Sequence, residues 1–179
     1  MFKFYEVGGC VRDEILGLKS KDIDYVAVPS DGLLKDVTSA HDMFGILESH
    51  LEEEEFELFL VTPDCFTIRA KFPKGHKYEG VADFVMARKE IGYIPDTRQP
   101  MVVPGTLYDD LERRDFTLNA LAKDENGEII DYFNGLKALE CGVLITPLLA
   151  EKTMLDDPLR LLRAFRFSIT KGFVISTPI

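Results

Sequence analysis

The sequence predicts an α/β (α+β) domain with a mainly antiparallel or mixed sheet flanked by helices. Short apolar segments of strand character alternate with segments of helical spacing, and turn residues separate the two kinds. The 179 residues suffice for one domain and a short appended segment, but not for two domains with separate cores. A composition of 46% hydrophobic and 29% charged residues excludes disordered and collagen-like chains.

The first half of the chain is predicted to begin with a strand, a glycine turn and a helix. Apolar residues spaced three and four apart behind Ser30 or Asp31 as a cap then indicate a longer helix. In order, the predicted elements are a strand (2–7), a Gly8-Gly9 turn, a helix (11–16), a strand (22–28) and a helix (31–43).

The second half is predicted to contain three further strands before helices return. Turns at 62–64 and 73–76, each containing proline, separate these strands. The remainder is mostly helical. In order, the predicted elements are strands (56–61, 65–72, 81–86), a helix (107–122), a short strand (128–132) and a last helix (157–168).

The charge and the cysteines exclude several classes of protein. A formal net charge of −10 argues against a generic basic surface for nucleic acid, and six glutamates within residues 48–57 are expected to form a solvated face or loop. Three widely separated cysteines predict neither a disulfide framework nor a metal knuckle. No apolar run reaches the length of a membrane helix, and residues 1–4 lack a signal peptide's apolar stretch. We therefore expect a cytoplasmic protein without a membrane partner.

Asp22 and Asp24 form the most informative pair of side chains. Because alternate residues of a strand point the same way, these two carboxylates lie on one face, about 7 Å apart along the chain. Ile23 and Tyr25 would anchor the strand from the other face. Mg²⁺ binds through one or two carboxylates together with substrate phosphates, so the pair suits a nucleoside triphosphate site.

The glycine turn in front of this strand adds a place for phosphate. Backbone amides at Gly8 and Gly9 can approach phosphate oxygens at the start of the first helix, and Arg12 can supply positive charge. A structural turn and a solvated strand end are the alternatives for each motif alone. Asp83, in a later predicted strand, is a candidate third carboxylate for the same metal ions, with a plain surface aspartate as its alternative.

A second group of polar residues follows in Arg114-Asp-Phe-Thr-Leu-Asn119. Arg114, Asp115 and Asn119 offer donors and acceptors that suit a ribose or a phosphate. The alternative is a salt-bridged helix start capped by Asp115.

The last predicted helix carries the third group. At 100° per residue, Asp156, Asp157, Arg160 and Arg163 fall on one side, whereas Leu155, Leu159, Leu162 and Phe165 fall on the other, apolar side together with Arg166. An aspartate acceptor and an arginine fork one turn apart can read the amino group and ring nitrogen of cytosine or adenine. An Asp-capped helix with acid-base pairs is the structural alternative.

Together these segments resemble the class II tRNA nucleotidyltransferase and poly(A) polymerase family, of the CCA-adding type within the polymerase-beta-like superfamily. Residues 8–13 with Asp22-Ile-Asp24 are similar to the family's metal and triphosphate motif, and residues 114–119 to its ribose motif. Residues 131–135 resemble its hinge motif, and residues 87–110 its flexible loop and the approach to the ribose motif. Asp157 and Arg160 fall where the family carries its nucleotide-selecting pair.

The resemblance implies metal-dependent transfer of CMP and AMP, from CTP and ATP, to the 3′ end of tRNA with release of pyrophosphate. Asp22 and Asp24, with Asp83, would hold two Mg²⁺ ions. The remaining roles are a triphosphate cradle (Gly8, Gly9, Arg12), sugar contacts (Arg114, Asp115, Asn119), base selection (Asp157, Arg160) and a helper toward phosphate or base (Arg163).

The resemblance also implies a nucleotidyltransferase head over residues 1–140 and the start of a helical neck over residues 141–179. Family members continue into body and tail regions that hold the tRNA acceptor arm. A second chain that supplies these regions, or a homo-oligomer, is therefore an expected partner. A poly(A) polymerase, a nucleotidyltransferase with a non-tRNA acceptor, and a non-catalytic nucleotide-binding subunit completed by a partner chain are the alternatives.

Overall fold

The computed structural model of the protein describes residues 1–20, 22–37, 39–94, 100–177 and 179. Its strands within that part of the chain are β1 (Phe2–Val7), β2 (Asp22–Pro29), β3 (Glu57–Thr62), β4 (Thr67–Lys71), β5 (Val81–Met86), β6 (Arg88–Tyr93), β7 (Pro100–Pro104), β8 (Leu121–Lys123), β9 (Ile129–Asp131), β10 (Val143–Leu144) and β11 (Val174–Ile175).

The helices surround and follow this sheet. They are α1 (Gly9–Ile15), α2 (Asp31–Asp36), α3 (Ala40–Glu53), α4 (Leu107–Glu112), α5 (Gly135–Cys141), α6 (Ala150–Asp156) and α7 (Leu159–Lys171), with 3₁₀ turns at Pro63–Cys65 and Thr117–Asn119. None of the helices in the described part of the chain combines the length and the apolar content needed to span a bilayer.

Seven strands form one mixed sheet in the order β3-β4-β5-β2-β1-β8-β9. Strands β2 and β5 run parallel, and the other neighbours in this sheet are antiparallel. The predicted fold class is therefore confirmed. The β2–β5 register places Asp24 directly opposite Asp83, which brings two predicted site residues together from distant parts of the sequence.

Apolar residues cover both faces of the sheet. Helix α3 packs Phe44, Leu47 and Leu51 on one face, against Phe84 and other side chains of β4 and β5. Helix α4 packs on the other face, where Leu107 and Leu111 join Val7 and Val26. Because successive side chains of a strand alternate between the faces, the covered strands can still present Asp24 at the edge of the packed region.

Two predicted helices are wrong in their extent. The predicted helix over 31–43 is two helices, since the chain is extended at Val37 and Ser39 then caps α3 by accepting a hydrogen bond from the Asp42 amide. Helix α3 continues to Glu53, so the acidic segment begins as an exposed helical face, which agrees with the solvated face or loop expected from the sequence.

The predicted helix over 107–122 ends at Glu112. Beyond it, the Asp115 carboxylate accepts the amide hydrogen of Phe116, and the chain continues as a 3₁₀ turn and then as β8. Local side-chain acceptors compete with helical hydrogen bonds in this way, and pairing of β8 with β1 and β9 fixes the outcome. The hairpin of β6 and β7 was not predicted.

Candidate active site

A cleft of about 640 Å³ collects the predicted site residues. It lies between the central strands β2 and β5, the start of α1, the segment 113–119 and helix α7. Every predicted site residue lines the cleft except Asp22, which is exposed on β2 two residues before Asp24. The three groups of polar residues recognised in the sequence therefore meet at one place.

Asp24 is the partly buried member of the carboxylate pair, whereas Asp22 is exposed. Burial raises the pKa of Asp24, and the negative charges of Asp83 and Asp22 raise it further, although the nearby Arg114 guanidinium opposes this shift. Carboxylates that crowd one another in this way are stabilised by a cation.

Asp83 is held by a partner that sequence reasoning did not assign to the site. Arg69 lies opposite Asp83 in the β4–β5 register, and its Nε and Nη2 atoms donate to the two carboxylate oxygens at 2.6 and 2.7 Å. The candidate third carboxylate is thus bound in a bidentate ion pair. Because strand register decides this contact, the local sequence around either residue carries no signal for it.

The oxygen donors of Asp22 and Asp24 fit a magnesium site completed by substrate phosphates. Within the described residues, no group of three or more histidine, cysteine, aspartate or glutamate side chains is arranged to hold a metal ion by itself. The arrangement therefore suits a metal that arrives with its substrate better than a closed metal cage.

Gly8 occupies a position where a side chain would not fit. Its φ and ψ angles of 75° and −129° are unfavourable for residues with a Cβ atom. A Cβ atom there would lie 2.6 Å from Nη1 of Arg114 and 3.6 Å from Oδ2 of Asp24. Glycine at this position thus lets the turn, the carboxylate and the guanidinium come together.

Arg12 is a buried bridge between three parts of the cleft. Its Nη1 donates to Oδ1 of Asn119 at 2.5 Å, and its Nε donates to Asp13 at 2.9 Å. The guanidinium also lies over the ring of Phe167, 5.1 Å from the centroid. Arg12 therefore connects α1 to the 3₁₀ turn and to α7, whereas its predicted contact with phosphate stays a prediction.

Asp115 and Asn119 form a hydrogen-bonded pair within the cleft wall. Oδ1 of Asp115 accepts from the Phe116 amide at 2.8 Å and from Nδ2 of Asn119 at 2.9 Å. Oδ2 accepts from Nε of Arg163 at 2.7 Å. Asp115 thus binds the 3₁₀ turn segment and helix α7, but the turn has Phe116 as its N-cap without a side-chain cap, so the alternative of a helix start capped by Asp115 is wrong.

A fully buried aspartate that was missed by sequence reasoning holds Arg114 in place. Asp110 accepts from Arg113 at 2.7 Å and from Arg114 at 3.1 Å. Burial alone would raise the pKa of Asp110, but the two guanidinium groups hold it below its usual value. Spacings of three and four residues on one helix were the available sequence signal.

Asp157 and Arg160, the predicted base-selecting pair, do not lie on one continuous helix. Asp157 is extended between α6 and α7, and its carboxylate accepts from the Leu159 amide at 3.2 Å. Arg160 donates to the carbonyl oxygens of Arg113 at 2.8 Å and Thr153 at 3.2 Å. Both side chains nevertheless line the cleft.

Helix α7 turns its polar side toward the cleft and leaves its apolar side exposed. Its buried face consists of Ala164 and Phe167, whereas the predicted apolar side, including Leu162 and Phe165, is 64% and 57% exposed. Arg166 lines the cleft and lies over the Phe167 ring at 5.4 Å. The pattern of apolar residues in the sequence shows which side of the helix is apolar, but it does not show whether that side has a partner.

The cleft is basic although the whole chain is acidic. Among the described residues that line it, eight are basic and five are acidic. Two of the basic side chains, Arg88 and Arg114, have a buried Nε atom without a hydrogen-bond partner in the described structure. Arg88 follows β5 directly, and burial together with the charge of Arg113 lowers its pKa. Such a site favours an anionic ligand.

Comparison with known proteins gives concordant matches. The sequence profile of the poly A polymerase head domain matches residues 4–145. The CCA-adding enzyme of Lactiplantibacillus plantarum is 36% identical over 181 residues, which covers 98% of this chain and 38% of the relative.

Two solved structures are similar in fold and in sequence. The crystal structure of the Bacillus stearothermophilus CCA-adding enzyme in complex with CTP has a TM-score of 0.73 and 29% identity, covering 99% of this chain and 37% of that one. A tRNA nucleotidyltransferase complexed with a primer tRNA and an incoming ATP analog has a TM-score of 0.70 and 29% identity, covering 99% of this chain and 44% of that one.

The chain therefore spans less than half of the length of each of these relatives. The profile match nevertheless extends over most of the chain, from β1 to the strand that follows α5, and it includes residues 8–13, 22–24 and 114–119. On this ground the family resemblance found in the sequence is confirmed, and the chain belongs to the poly(A) polymerase head domain family.

Proposed function

We propose that this chain performs metal-dependent addition of CMP and AMP, from CTP and ATP, to the 3′ end of tRNA. The 3′-hydroxyl oxygen would form a bond to the α-phosphorus while the bond to pyrophosphate breaks. The observation that carries the proposal is the basic cleft that joins the β2 carboxylates, the glycine turn and the segment 113–119. The relatives named above, one bound to CTP and one to an ATP analog and primer tRNA, support it.

Asp22 and Asp24 are the proposed ligands of two Mg²⁺ ions. Bound there, the ions would lower the pKa of the attacking hydroxyl and neutralise the leaving pyrophosphate. The approach of the cations would oppose the effects of burial and carboxylate crowding, which raise the pKa of Asp24. Asp83 is the proposed third ligand, and its ion pair with Arg69 would compete with the cations for its two oxygens.

Gly8, Gly9 and Arg12 are the proposed cradle of the triphosphate. The missing Cβ at Gly8 leaves the turn open next to Arg114, and the unsatisfied Nε atoms of Arg88 and Arg114 are consistent with a ligand rich in oxygen. Positioning and charge neutralisation supply most of the catalysis in phosphoryl transfer, so no protein nucleophile is needed.

Arg114, Asp115 and Asn119 are the proposed sugar contacts, and Asp157 with Arg160 the proposed base-selecting pair. The carbonyl oxygens of Arg113 and Thr153 already engage two of the five donors of Arg160. They hold the fork in one orientation, which base selection by hydrogen bonding requires. Arg163, which donates to Asp115, is the proposed helper toward phosphate or base.

The partners of the chain follow from the same proposal. We place the head over residues 1–140 and the neck over 141–179, and the exposed apolar side of α7 suits a second chain, or a second copy, that contributes to tRNA binding. We also propose a cytoplasmic location. The free thiols of Cys10, Cys65 and Cys141 agree with it, because thiols stay reduced in that compartment.

Incubation with one labelled nucleotide at a time tests the proposal. The substrates are tRNA that lacks CCA, tRNA that ends in CC, and a generic RNA. We expect Mg²⁺-dependent addition of C residues and then one A on the defective tRNA. Long A tracts on generic RNA would indicate a poly(A) polymerase instead, and no turnover with any acceptor would favour the non-catalytic subunit.

A further inference from the structure

A second cavity of about 400 Å³ lies on the face of the sheet opposite to Asp24. Its floor is formed by alternating side chains of the central strands, Phe4 and Glu6 from β1, Tyr25 from β2 and Phe84 from β5. The end of α3 and the hairpin between β8 and β9 form its walls. We call this space the back cavity. It contributes nothing to the proposed transfer reaction.

Aromatic rings hold one another in place around the back cavity. Tyr25 and Phe84 are stacked at 5.0 Å with an interplanar angle of 9°, and Phe56 meets Phe84 edge-on at 5.0 Å and 83°. On the opposite side Phe4 stacks on the His50 ring at 5.7 Å. Because the rings pack against one another, the cavity is formed before any ligand binds, as small-molecule sites usually are.

The charged groups around these rings are mostly acidic. Glu6 is buried at the floor, where Tyr78 donates to it at 2.8 Å and Lys123 at 2.7 Å. Burial alone would raise the pKa of Glu6, but these two partners lower it, so the carboxylate stays charged. Lys77 is 3.4 Å away.

Three more carboxylates stand at the rim. Glu54, Asp124 and Glu125 line the cavity; in the described part of the chain neither Glu54 nor Glu125 forms a salt bridge, although the positive charge of Lys3 acts on Asp124 and Glu125. The described lining residues therefore include four acidic and two basic side chains in addition to two histidines. An anion such as a nucleotide phosphate would be repelled here.

We infer that the back cavity is a binding site for a flat aromatic cation. The ring faces of Phe4, Tyr25 and Phe56 would contact the aromatic body and attract positive charge through their quadrupoles. Glu54 and Glu125 would face the cationic group at the rim. A site that combines aromatic rings with carboxylates discriminates by charge as well as by shape, which separates this ligand class from the nucleotides of the basic cleft.

Three probes that share one ring but differ in charge test this inference. Benzamidine is a cation at neutral pH, benzamide is neutral and benzoate is an anion. Titration of the full chain would be followed by amide shifts in ¹H–¹⁵N spectra. We expect benzamidine to shift amides of residues 50–56 and 124–127 and to bind about tenfold more tightly than benzamide, with benzoate weakest.

Charge variants at the rim give the decisive comparison. The double variant Glu54→Lys with Glu125→Lys should lose about tenfold in benzamidine affinity, and Phe56→Leu should lose several-fold because a ring face is removed. Glu52→Lys is the matched control, since Glu52 is an exposed residue of the same helix and does not line the cavity. Its affinity should stay close to that of the unmodified chain.

The inference is overturned by any of three results. Equal affinities for the three probes would show that charge plays no part. Benzamidine shifts confined to residues 8–13 or 22–24, and lost in Asp24→Asn, would place the probe in the cleft. The absence of amide shifts at residues 50–56 and 124–127 at millimolar benzamidine would show that the cavity does not bind it.

Discussion

The cleft and the back cavity use opposite faces of the same three strands. In the cleft, ion pairs and hydrogen bonds between distant segments hold the side chains, as between Asp83 and Arg69 or Arg12 and Asn119. In the back cavity, ring packing around Phe84 does so. Among the charged residues, basic side chains predominate in the lining of the cleft and acidic side chains in that of the back cavity.

This difference shows that adjacent residues of one strand can line two different sites. Asp24 lines the cleft, and the next residue, Tyr25, turns its ring to the other face. Asp83 and Phe84 repeat the arrangement on β5, directly beside them. Neighbouring residues of one strand can therefore serve ligands of opposite charge, because the sheet and its core lie between them.

Neutralising Asp24 should have the largest effect on the cleft. We expect Asp24→Asn to lower nucleotide incorporation on the order of 10³-fold or more, because one of the two proposed cation ligands loses its charge. Since the folded pKa of Asp24 is raised, its charged form weakens the fold as pH rises above 3.8, and the variant should be slightly more stable at pH 7. Urea unfolding measures this. Full activity would contradict the metal assignment.

Asp110 tests whether the polar network of the cleft is also structural. Asp110→Asn leaves two guanidinium groups without their buried partner and should lower the free energy of unfolding by about 3–5 kcal/mol. Glu112→Gln, on the same helix and not fully buried, is the control and should change little.

The pH dependence of unfolding gives the sign of the Asp110 contribution. Because the folded pKa is lowered, Asp110 stabilises the fold above its ordinary value of 3.8 and ceases to do so as pH falls through the folded pKa. The Asn variant should therefore lose less stability than the unmodified chain between pH 5 and strongly acidic conditions. Parallel stability curves for the two proteins would contradict this.

A substitution at Gly8 tests the close approach of this residue to Arg114. Gly8→Ala should lower the unfolding free energy by about 2–3 kcal/mol, from the unfavourable backbone angles and from displacement of Arg114. Gly17→Ala is a matched control, since its φ is +70° but no atom lies within 4 Å of the added Cβ. Equal losses in the two variants would mean that the contact with Arg114 has no cost.

Substitution of Arg69 should have the smallest effect, and we expect it in metal binding at the cleft. Arg69→Met frees Asp83 and removes a positive charge, so affinity for Mn²⁺ without nucleotide should rise a few-fold, while stability changes by less than about 1 kcal/mol. Lys71→Met removes a charge two residues away on the same strand, from a pair with Glu57, and serves as control. Weaker Mn²⁺ binding would show that Arg69 orients Asp83 for the metal.

The strands were predicted more accurately than the helices. The predicted bounds 2–7 and 81–86 agree with β1 and β5, and a glycine marks one end of each run, Gly8 after β1 and Gly80 before β5. The helix over 31–43 failed at Ser39, whose side chain caps a new helix. The helix predicted over 107–122 does not extend through residues 113–122, because side-chain acceptors and strand pairing outweigh helical spacing there.

The site was predictable where its residues are close in sequence. The Asp22–Asp24 spacing and the glycine turn indicated the carboxylates and the cradle, and family resemblance supplied the roles of Asp157 and Arg160. Contacts made through strand register or across the cleft, such as Arg69 with Asp83, leave no trace in local spacing. The burial of Asp110 likewise depends on tertiary packing.

The position of Phe167 suits a fluorescent side chain that would report on the cleft. Guanidinium groups of Arg12 and Arg166 lie over the Phe167 ring, and the chain contains no tryptophan. An indole introduced as Phe167→Trp would thus be the sole one in the molecule. Its fluorescence would change whenever an incoming triphosphate draws those two cations away, so nucleotide entry could be timed without labelling either reactant.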